Sequence, residues 1–197
     1  MLKGLFVSKV RAKLFQIFFD HPGEIYHVRG LVRLAGEEIN AVRRELLRME
    51  NFGLAKKEPR GNRLYYWLDK KHLLYQDLLS LVSKTIGLGK TIIKNKNKLG
   101  KVKFVMLSGN FARRLPRSEE NEVDLLVIGK IVLPELGRLV SAEEQRLGRE
   151  INYTVMNKEE FDFRKRRRDP FILAVLSGSR IMILGDEQDL VKSKVEQ

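Results

Sequence analysis

Hydrophobic residues recur along the first fifty positions with the period of about 3.6 residues that is typical of amphipathic helices. Residues 8–19 carry one apolar stripe. Residues 27–35 carry a second, formed by Val28, Leu31, Val32 and Leu34. In residues 37–50 the apolar side consists of Ile39, Val42, Leu46 and Met49. Since glycine adopts left-handed backbone angles without strain, Gly36 can turn the chain between the second and third segments. The pattern therefore predicts three successive helices.

Two short segments with strand-like patterns follow the third helix. Residues 54–58 and 63–68 are the predicted strands, and residues 59–62, Pro-Arg-Gly-Asn, have the composition of a turn. Gly53 can end the preceding helix in a left-handed conformation. The positions of the second strand that alternate toward a core are Leu64, Tyr66 and Leu68. We therefore expect a β-hairpin directly after the three helices.

A further helix is predicted over residues 71–86, and its apolar stripe needs a partner. The stripe consists of Leu74, Leu78, Leu81, Val82 and Thr85. It can pack against its own domain or against a second copy of the chain. Residues 87–100 are rich in glycine, lysine and asparagine, so we expect a loosely packed connection there. The expected organisation is an N-terminal domain, a linker that could serve in dimerisation, and a C-terminal domain, over residues 1–70, 71–100 and 101–197.

Short strands and helices alternate in the C-terminal half. Strands are predicted over residues 103–107, 122–128, 151–155 and 181–184. Helices are predicted over residues 134–147 and from residue 158 onward, with a new helix starting at Asp169-Pro170. This alternation predicts an α/β domain with a small mixed sheet. The chain as a whole is therefore expected to belong to the α+β class.

The positive charge of the chain is concentrated in its first half. The 197 residues contain 38 Lys and Arg against 25 Asp and Glu, which gives a net charge of +13. Residues 1–100 hold 20 Lys and Arg and 9 Asp and Glu, whereas residues 101–197 hold 18 and 16. A surplus of this size recruits polyanions or anionic membrane surfaces, although a generally basic, well-solvated surface gives the same count. The N-terminal domain is therefore the candidate for binding a polyanion.

Composition excludes several other kinds of site. Cysteine is absent and His21, His27 and His72 lack metal-ligand spacing, so we expect no structural zinc site. No apolar run approaches the about 20 residues that a membrane span needs, and the first eight residues do not resemble a secretory signal. We therefore expect a cytoplasmic protein that does not bind membranes.

The third helix and the hairpin both expose basic residues. Opposite its apolar side, the helix carries Asn40, Arg44 and Arg48, with Arg43 at the margin. The hairpin and its flanks carry Lys56, Lys57, Arg60 and Arg63. Arginine can bind guanine edges or phosphates and asparagine can pair with adenine, so the helix surface suits a DNA major groove. For the helix taken alone, an ordinary solvated face is the alternative interpretation.

Three helices followed directly by a basic hairpin resemble the winged helix-turn-helix transcriptional regulators. The run Leu-Leu-Arg-Met-Glu-Asn-Phe-Gly-Leu at residues 46–54 is similar to that family's passage from recognition helix to wing, and the resemblance spans roughly residues 5–69. It implies that the polar residues of the third helix contact the major groove of double-stranded DNA, while Arg60 and its neighbours reach the backbone or the minor groove. Such regulators often pair through a helix placed like residues 71–86, which implies a homodimer.

Two acidic residues, Glu122 and Asp124, stand two positions apart at the start of a predicted strand. In a regular strand both side chains project from one face, and such a pair can hold Mg²⁺ that bridges nucleotide phosphates. Gly109 and Asn110 form a small-residue turn after the preceding strand, and together with Arg113 they could bind phosphate. The alternative is that the two acids merely solvate one side of an edge strand.

The strand, glycine turn and acidic strand resemble the minimal nucleotidyltransferases of the DNA polymerase beta superfamily, over about residues 103–184. The matching residues are Gly109, Ala112, Arg113 and Asp124. The departures are Asn110 for serine, Arg114 for glycine, Glu122 for aspartate, and Asn152 where the third carboxylate is expected, with Glu150 as the substitute nearby. The resemblance implies Mg²⁺-dependent transfer from a nucleoside triphosphate, with Glu122 and Asp124 as catalytic and metal-binding residues. Because a longer acid and an amide impair octahedral Mg²⁺ coordination, we expect a retained fold with lost or weak catalysis.

These observations predict a DNA-binding transcriptional regulator whose C-terminal domain senses a nucleotide or a protein partner. An active nucleotidyltransferase that modifies a protein, an RNA or a small molecule is the second hypothesis. A protein-interaction module similar to the antitoxins of two-gene systems is the third. The basic run at residues 164–168 could contact nucleic acid or simply be solvated.

Overall fold

The computed structural model describes residues 8–120 and 122–192. The chain folds into two compact units, unit 1 (Met1–Thr85) and unit 2 (Ile86–Gln197). Helices and two small sheets make the architecture α+β, as the sequence predicts. In the part of the chain that is described, no helix combines the length and the apolar character that crossing a membrane requires.

Unit 1 contains four helices and a three-stranded antiparallel sheet within its described residues. The helices are α1 (Lys9–Asp20), α2 (Val28–Ala35), α3 (Ile39–Asn51) and α4 (Tyr75–Ser83). The strands are β1 (Tyr26–His27), β2 (Ala55–Arg60) and β3 (Arg63–Leu68), in the order β1-β3-β2. Three helices and a hairpin therefore lie where the sequence predicts them. Strand β1, which only two residues form, is an addition that the pattern does not reveal.

Aromatic side chains of α1 form the centre of the core of unit 1. Phe18 packs edge-on against Tyr26 with ring centroids 5.7 Å apart, and Phe19 packs against Tyr75 at 5.4 Å. From α3 the core receives Val42, Leu46 and Met49, all buried as the apolar stripe predicts. Each fully buried side chain of this size contributes roughly 1.5–3 kcal/mol. The core therefore fixes which side of α3 faces inward.

The buried side of helix α4 coincides only in part with the stripe that the sequence predicts. Its buried residues are Tyr75, Leu79, Val82 and Ser83, whereas Leu74 stays 37% exposed. Of the predicted stripe, Val82 and Thr85 are buried, whereas the prediction missed Tyr75, whose large ring enters the core beside Phe19. Much of the apolar surface of α4 is therefore covered within unit 1, and the predicted homodimer stays a prediction.

Glu45 is a buried carboxylate that links α3 to α1. Only 4% of the residue is exposed, and its side chain accepts hydrogen bonds from Arg11 Nε at 2.7 Å and from Arg48 Nη1 at 2.6 Å. Burial alone raises the pKa of Glu45, but hydrogen bonds from Arg11, Ser8 and Arg48 outweigh it and hold that pKa below its ordinary value of 4.5. The ion pair therefore helps to set the position of α3.

Replacing Glu45 with glutamine is expected to destabilise unit 1 at neutral pH by about 1–3 kcal/mol, because two guanidinium groups lose a charged acceptor. A carboxyl group with a lowered pKa stabilises the fold fully above its unfolded value of 4.5, and this contribution is lost as the pH falls through the folded pKa. Urea unfolding followed by Trp67 fluorescence measures the free energy of unfolding. The difference in this free energy between wild type and Glu45→Gln should become smaller in acid. The control Glu58→Gln, at an exposed site, should have nearly the wild-type free energy of unfolding. A difference for Glu45→Gln that does not change with pH would contradict the ion pair.

Unit 2 is built around a four-stranded mixed sheet. Its strands are β4 (Gly100–Ser108), β5 (Leu125–Ile131), β6 (Tyr153–Met156) and β7 (Arg180–Leu184), in the order β6-β5-β4-β7. Strands β5 and β6 are parallel, and the other pairs are antiparallel. The helices are α5 (Gly87–Lys94), α6 (Gly109–Ala112), α7 (Leu133–Leu147), α8 (Lys158–Arg166), α9 (Pro170–Ser177) and α10 (Glu187–Val191).

Alternating side chains of β4 and β5 separate the core of unit 2 into two faces. On one face Met106 and Leu126 belong to a cluster that includes Phe161 of α8 and Ile172 of α9. Asp169 caps α9 by accepting a hydrogen bond from Ile172 N at 3.2 Å, as predicted. The neighbouring positions of the strands face the opposite way, and buried residues there include Val105, Leu107, Leu125 and Val127.

Helix α5 lies where the sequence predicts a loose connection. Leu88 and Ile92 stand one helical turn apart and are both buried, and α5 packs against α7. The prediction did not recognise the short apolar stripe between the glycines and lysines of this segment, so the loosely packed connection that it expects was wrong for Gly87–Lys94. The boundary between the units, at Thr85 and Ile86, divides the segment 71–100.

Candidate functional site

A large groove opens on the surface of unit 1 between α2, α3 and β3. Its volume is about 1320 Å³. The basic residues of its lining are Arg29, Arg33, Arg43 and Arg63, and its apolar residues include Val32, Ile39 and Leu47. We call it the basic groove. It combines positive charge with apolar surface at the helix and hairpin that the sequence analysis singles out.

Capped turns place the two helices that line the basic groove. His27 Nδ1 accepts a hydrogen bond from Gly30 N at 2.9 Å and thereby caps the start of α2. Gly36 ends α2 with a φ of 59°, a left-handed angle that glycine adopts without strain. Glu38 then caps α3, since its carboxylate accepts from Asn40 N at 2.7 Å and Ala41 N at 3.2 Å. The sharp turn between α2 and α3 follows from these local contacts.

The hairpin brings Arg63 to the third side of the basic groove. Strand β3 pairs with β1 through Tyr26 and Tyr66, and Arg60 lies opposite Arg63 at the hairpin tip. Only Gly61 and Asn62 connect the strands, so the turn is shorter than predicted. Pro59 belongs to β2, which it can do because β2 is an edge strand in this sheet and an edge position needs no amide donor.

The four arginines of the basic groove carry unneutralised charge. Arg29, Arg33, Arg43 and Arg63 are all exposed. Among residues 8–120 and 122–192, no hydrogen-bond or ion-pair partner contacts any of their guanidinium groups. The same holds for Arg44 on the adjacent exposed side of α3. These side chains can therefore bind an anionic ligand without first breaking an internal ion pair.

Four other predicted DNA contacts are instead paired with carboxylates of unit 1. The pairs are Lys56–Asp69 at 2.9 Å, Lys57–Glu50 at 2.8 Å, Arg60–Glu58 at 2.9 Å and Arg48–Glu45 at 2.6 Å. The hydrogen bond to Glu50 raises the pKa of Lys57. The structure thus separates the predicted cations into a paired set and a partner-free set.

The side of α3 that lines the basic groove consists of Ile39, Arg43 and Leu47, one turn apart. The sequence analysis predicts DNA contacts from Asn40, Arg44 and Arg48, with Arg43 at the margin of that face, and of these four residues Arg43 lines the groove. Asn40 and Arg44 are exposed beside the groove. Of the predicted apolar side of α3, only Ile39 differs from the prediction, since it is half-buried and lines the groove.

Sequence analysis missed Arg29 and Arg33, which α2 contributes to the basic groove. Their i, i+4 spacing on a predicted helix was the available signal, because residues so spaced share one face. The prediction considered only the apolar residues of this segment, and it wrongly placed Leu34 inward. Leu34 is 60% exposed, while Leu31 and Ala35 are buried.

In unit 2 the carboxylate of Asp124 is fully enclosed by protein groups. Asp124 is 0% exposed. Its Oδ2 accepts hydrogen bonds from Arg117 at 2.6 and 3.0 Å and from Asn152 N at 3.0 Å, and its Oδ1 accepts from Arg149 at 3.4 Å. Two guanidinium groups therefore neutralise the one acid that matches the nucleotidyltransferase pattern.

Glu122 makes separate contacts and does not share a strand face with Asp124. Strand β5 begins only at Leu125, so the predicted strand geometry of the two acids was wrong. The Glu122 carboxylate accepts from Ser118 N at 2.6 Å and from Asn110 Nδ2 at 3.0 Å. Burial raises the pKa of Glu122, but these hydrogen bonds together lower it below its ordinary value. Glu122 thus stabilises its own loop.

The residues around Asp124 do not fit a magnesium ion. Mg²⁺ requires near-octahedral oxygen ligands, whereas Arg117 and Arg149 occupy both carboxylate oxygens of Asp124. Asn152 supplies its backbone N–H to Asp124 and its side-chain amide to Glu122 O at 3.1 Å. Within the described segments no cluster of three or more His, Asp or Glu side chains is arranged to hold a metal. We therefore derive no metal-dependent step at this site.

Protein groups also fill the predicted phosphate turn. Gly109 N donates to Ser179 O at 2.7 Å, and Arg113 donates to Ser179 Oγ at 3.1 Å. A Cβ atom at position 109 would collide with Ser179 Oγ. Gly109 is therefore needed for a close approach within the protein, and Asn110 is engaged with Glu122.

Part of the basic run at residues 164–168 is held by contacts within unit 2. Arg164 pairs with Glu160 at 2.6 Å. Lys165 Nζ donates to the carbonyls of Leu190 at 2.7 Å and Lys192 at 2.8 Å, and burial lowers the pKa of Lys165. These two cations stabilise the end of α8 and are less available to an external ligand than the arginines of the basic groove.

Comparison with protein-family profiles, with curated proteins and with solved structures found no match for this chain.

Proposed function

We propose that unit 1 is a winged-helix module that binds double-stranded DNA. The observation that carries this proposal is the set of four exposed arginines that line one groove beside α3 and have no partner within the described part of the chain. Arginine guanidinium groups bind phosphates and guanine edges through paired N–H donors. A duplex offers both kinds of acceptor within the reach of a single helix.

The dimensions of α3 suit the DNA major groove. A helix of 13 residues is about 20 Å long, and the major groove is about 12 Å wide, which admits an α-helix. In this arrangement α3 presents Arg43 and Arg44 to base edges or phosphates. Arg63 and the hairpin tip lie beside the same groove of the protein, so they can contact the adjacent backbone or minor groove.

For the whole chain we propose a transcriptional regulator in which unit 2 senses a nucleotide or a protein partner. Arg117 and Arg149 bind the carboxylate of Asp124, and Gly109 N donates to Ser179 O. These contacts support sensing or protein contact over Mg²⁺-dependent nucleotidyl transfer. A homodimer in the cytoplasm is part of this proposal, and an antitoxin-like interaction module is the alternative that needs no DNA.

DNA binding is expected to weaken steeply with salt, because cations released from the duplex accompany each phosphate contact. Four contacts predict a slope of about −3.6 for log affinity against log salt, so that affinity falls roughly 150-fold between about 50 and 200 mM salt. Fluorescence anisotropy with a random-sequence duplex and the full chain measures this slope. Absence of binding at the lowest salt concentration would rule out the proposal.

A further inference from the structure

The basic groove exposes a leucine next to its arginines. Leu47 is 49% exposed, lines the groove, and lies one helical turn after Arg43 on α3. Its side chain cannot bind phosphate, and the exposure of its apolar surface to water is unfavourable. Phosphate binding therefore leaves the position of this side chain unexplained.

A chemically matched partner for Leu47 exists in the DNA major groove. Among the groups that base pairs present there, the C5-methyl of thymine is the apolar one, and apolar side chains contact it. Arg43 and Arg44, which lie one turn before Leu47, would hold the same stretch of duplex through its polar acceptors. RNA does not suit this contact, since the major groove of an A-form helix is too deep and narrow for side chains to read.

Position distinguishes Leu47 from other exposed leucines of unit 1. Single exposed apolar residues are common on protein surfaces and need no ligand. Leu34, for example, is 60% exposed on α2 but does not line the basic groove. Leu47 is both exposed and placed on α3 among arginines that no other described residue pairs with.

We propose that Leu47 contacts the methyl group of a thymine and makes the protein select a T·A pair at that position. The inference rests on the proposed DNA binding and adds a source of sequence specificity to it. The arginines supply affinity through phosphates and polar base edges, and Leu47 supplies discrimination through a single methyl group.

Uracil tests this inference, because it lacks only the C5-methyl group of thymine. Duplexes bound by the wild-type chain are first selected from a random pool, and each thymine of the selected site is then replaced by uracil in turn. One replacement is expected to weaken wild-type binding about fourfold, the effect of one buried methyl group. Leu47→Ala should bind the thymine and uracil duplexes equally, whereas the control Leu34→Ala should keep the fourfold difference.

Each other result overturns the inference in an identifiable way. A selected site without a required thymine, equal wild-type affinity for thymine and uracil duplexes, or a thymine preference that survives in Leu47→Ala would show that Leu47 reads no methyl group while DNA binding stands. If the wild-type chain binds no duplex at low salt, the proposed function itself fails. Circular dichroism of both variants checks that the half-exposed positions tolerate alanine.

Discussion

Replacing Arg43 and Arg63 together with alanine is expected to weaken DNA binding about a hundredfold in the full chain. Both side chains are exposed, have no partner among the residues that the structure describes, and line the basic groove from different elements, one on α3 and one on the hairpin. Loss of one arginine contact to a base or phosphate costs roughly 1–3 kcal/mol, and separated contacts add approximately. Anisotropy titrations with a fixed duplex at constant salt measure the loss.

The single variants Arg43→Ala and Arg63→Ala show whether each arginine contributes to DNA affinity through a phosphate or through a base. An arginine that contacts only phosphate should lower affinity uniformly across sequences and reduce the salt slope by about 1. An arginine that contacts a base edge should reduce the preference for the selected site. Adding Arg29→Ala and Arg33→Ala is expected to reduce binding below detection.

Arg60 provides the matched control for these variants. It is exposed at the hairpin tip like Arg63, but it forms an ion pair with Glu58 at 2.9 Å. Such an exposed pair has little net effect on stability, and Arg60 must leave its carboxylate to contact a phosphate. We expect Arg60→Ala to weaken binding less than about threefold. An equal effect of Arg60→Ala and Arg43→Ala would contradict the distinction between paired and partner-free cations.

Replacing Asp124 with alanine is expected to destabilise unit 2 by about 3–5 kcal/mol. Removal of one partner from a buried ion pair leaves the other charges uncompensated, and this cost exceeds that of most substitutions. Here Arg117 and Arg149 lose their shared carboxylate, and Asn152 N loses its acceptor. The contacts join the loop before β5, the end of α7 and the start of β6, so their loss affects the centre of the unit.

Two spectroscopic signals assign the destabilisation to unit 2. The chain has a single tryptophan, Trp67, which lies in unit 1 and reports its unfolding by fluorescence. Far-ultraviolet circular dichroism reports helices of both units. In Asp124→Ala, we expect part of the circular dichroism signal to unfold at lower urea concentration while the Trp67 transition is little changed.

Glu122→Ala is the control for Asp124→Ala. Its carboxylate accepts hydrogen bonds from Ser118 N of its own loop and from Asn110 of α6 and pairs with no arginine among the described residues, so its loss is expected to cost about 1 kcal/mol. Magnesium should leave the thermal unfolding of the wild-type chain unchanged, since guanidinium groups occupy the Asp124 oxygens. A stabilisation by Mg²⁺ that disappears in Asp124→Ala would show that this carboxylate does bind metal.

Sequence patterns located most helices and strands because local periodicity and capping chemistry determine them. The stripes of α1 and α3, the glycine after α2 and the Asp169-Pro170 start of α9 each depend on residues a few positions apart. The charge imbalance between the halves of the chain also needed only composition. The α+β class and the position of the basic hairpin follow from such local information.

Tertiary structure alone decided which charged residues are available for function. Lys56 and Lys57 look equivalent to Arg43 in the sequence, yet Asp69 and Glu50 neutralise these two lysines, whereas no carboxylate of residues 8–120 and 122–192 pairs with Arg43. In the same way Asp124, which the sequence marks as a metal ligand, is enclosed by Arg117 and Arg149. The physical reason is that the energy of a charge depends on the distance to its neighbours in space and on its burial, and many of those neighbours come from distant parts of the chain.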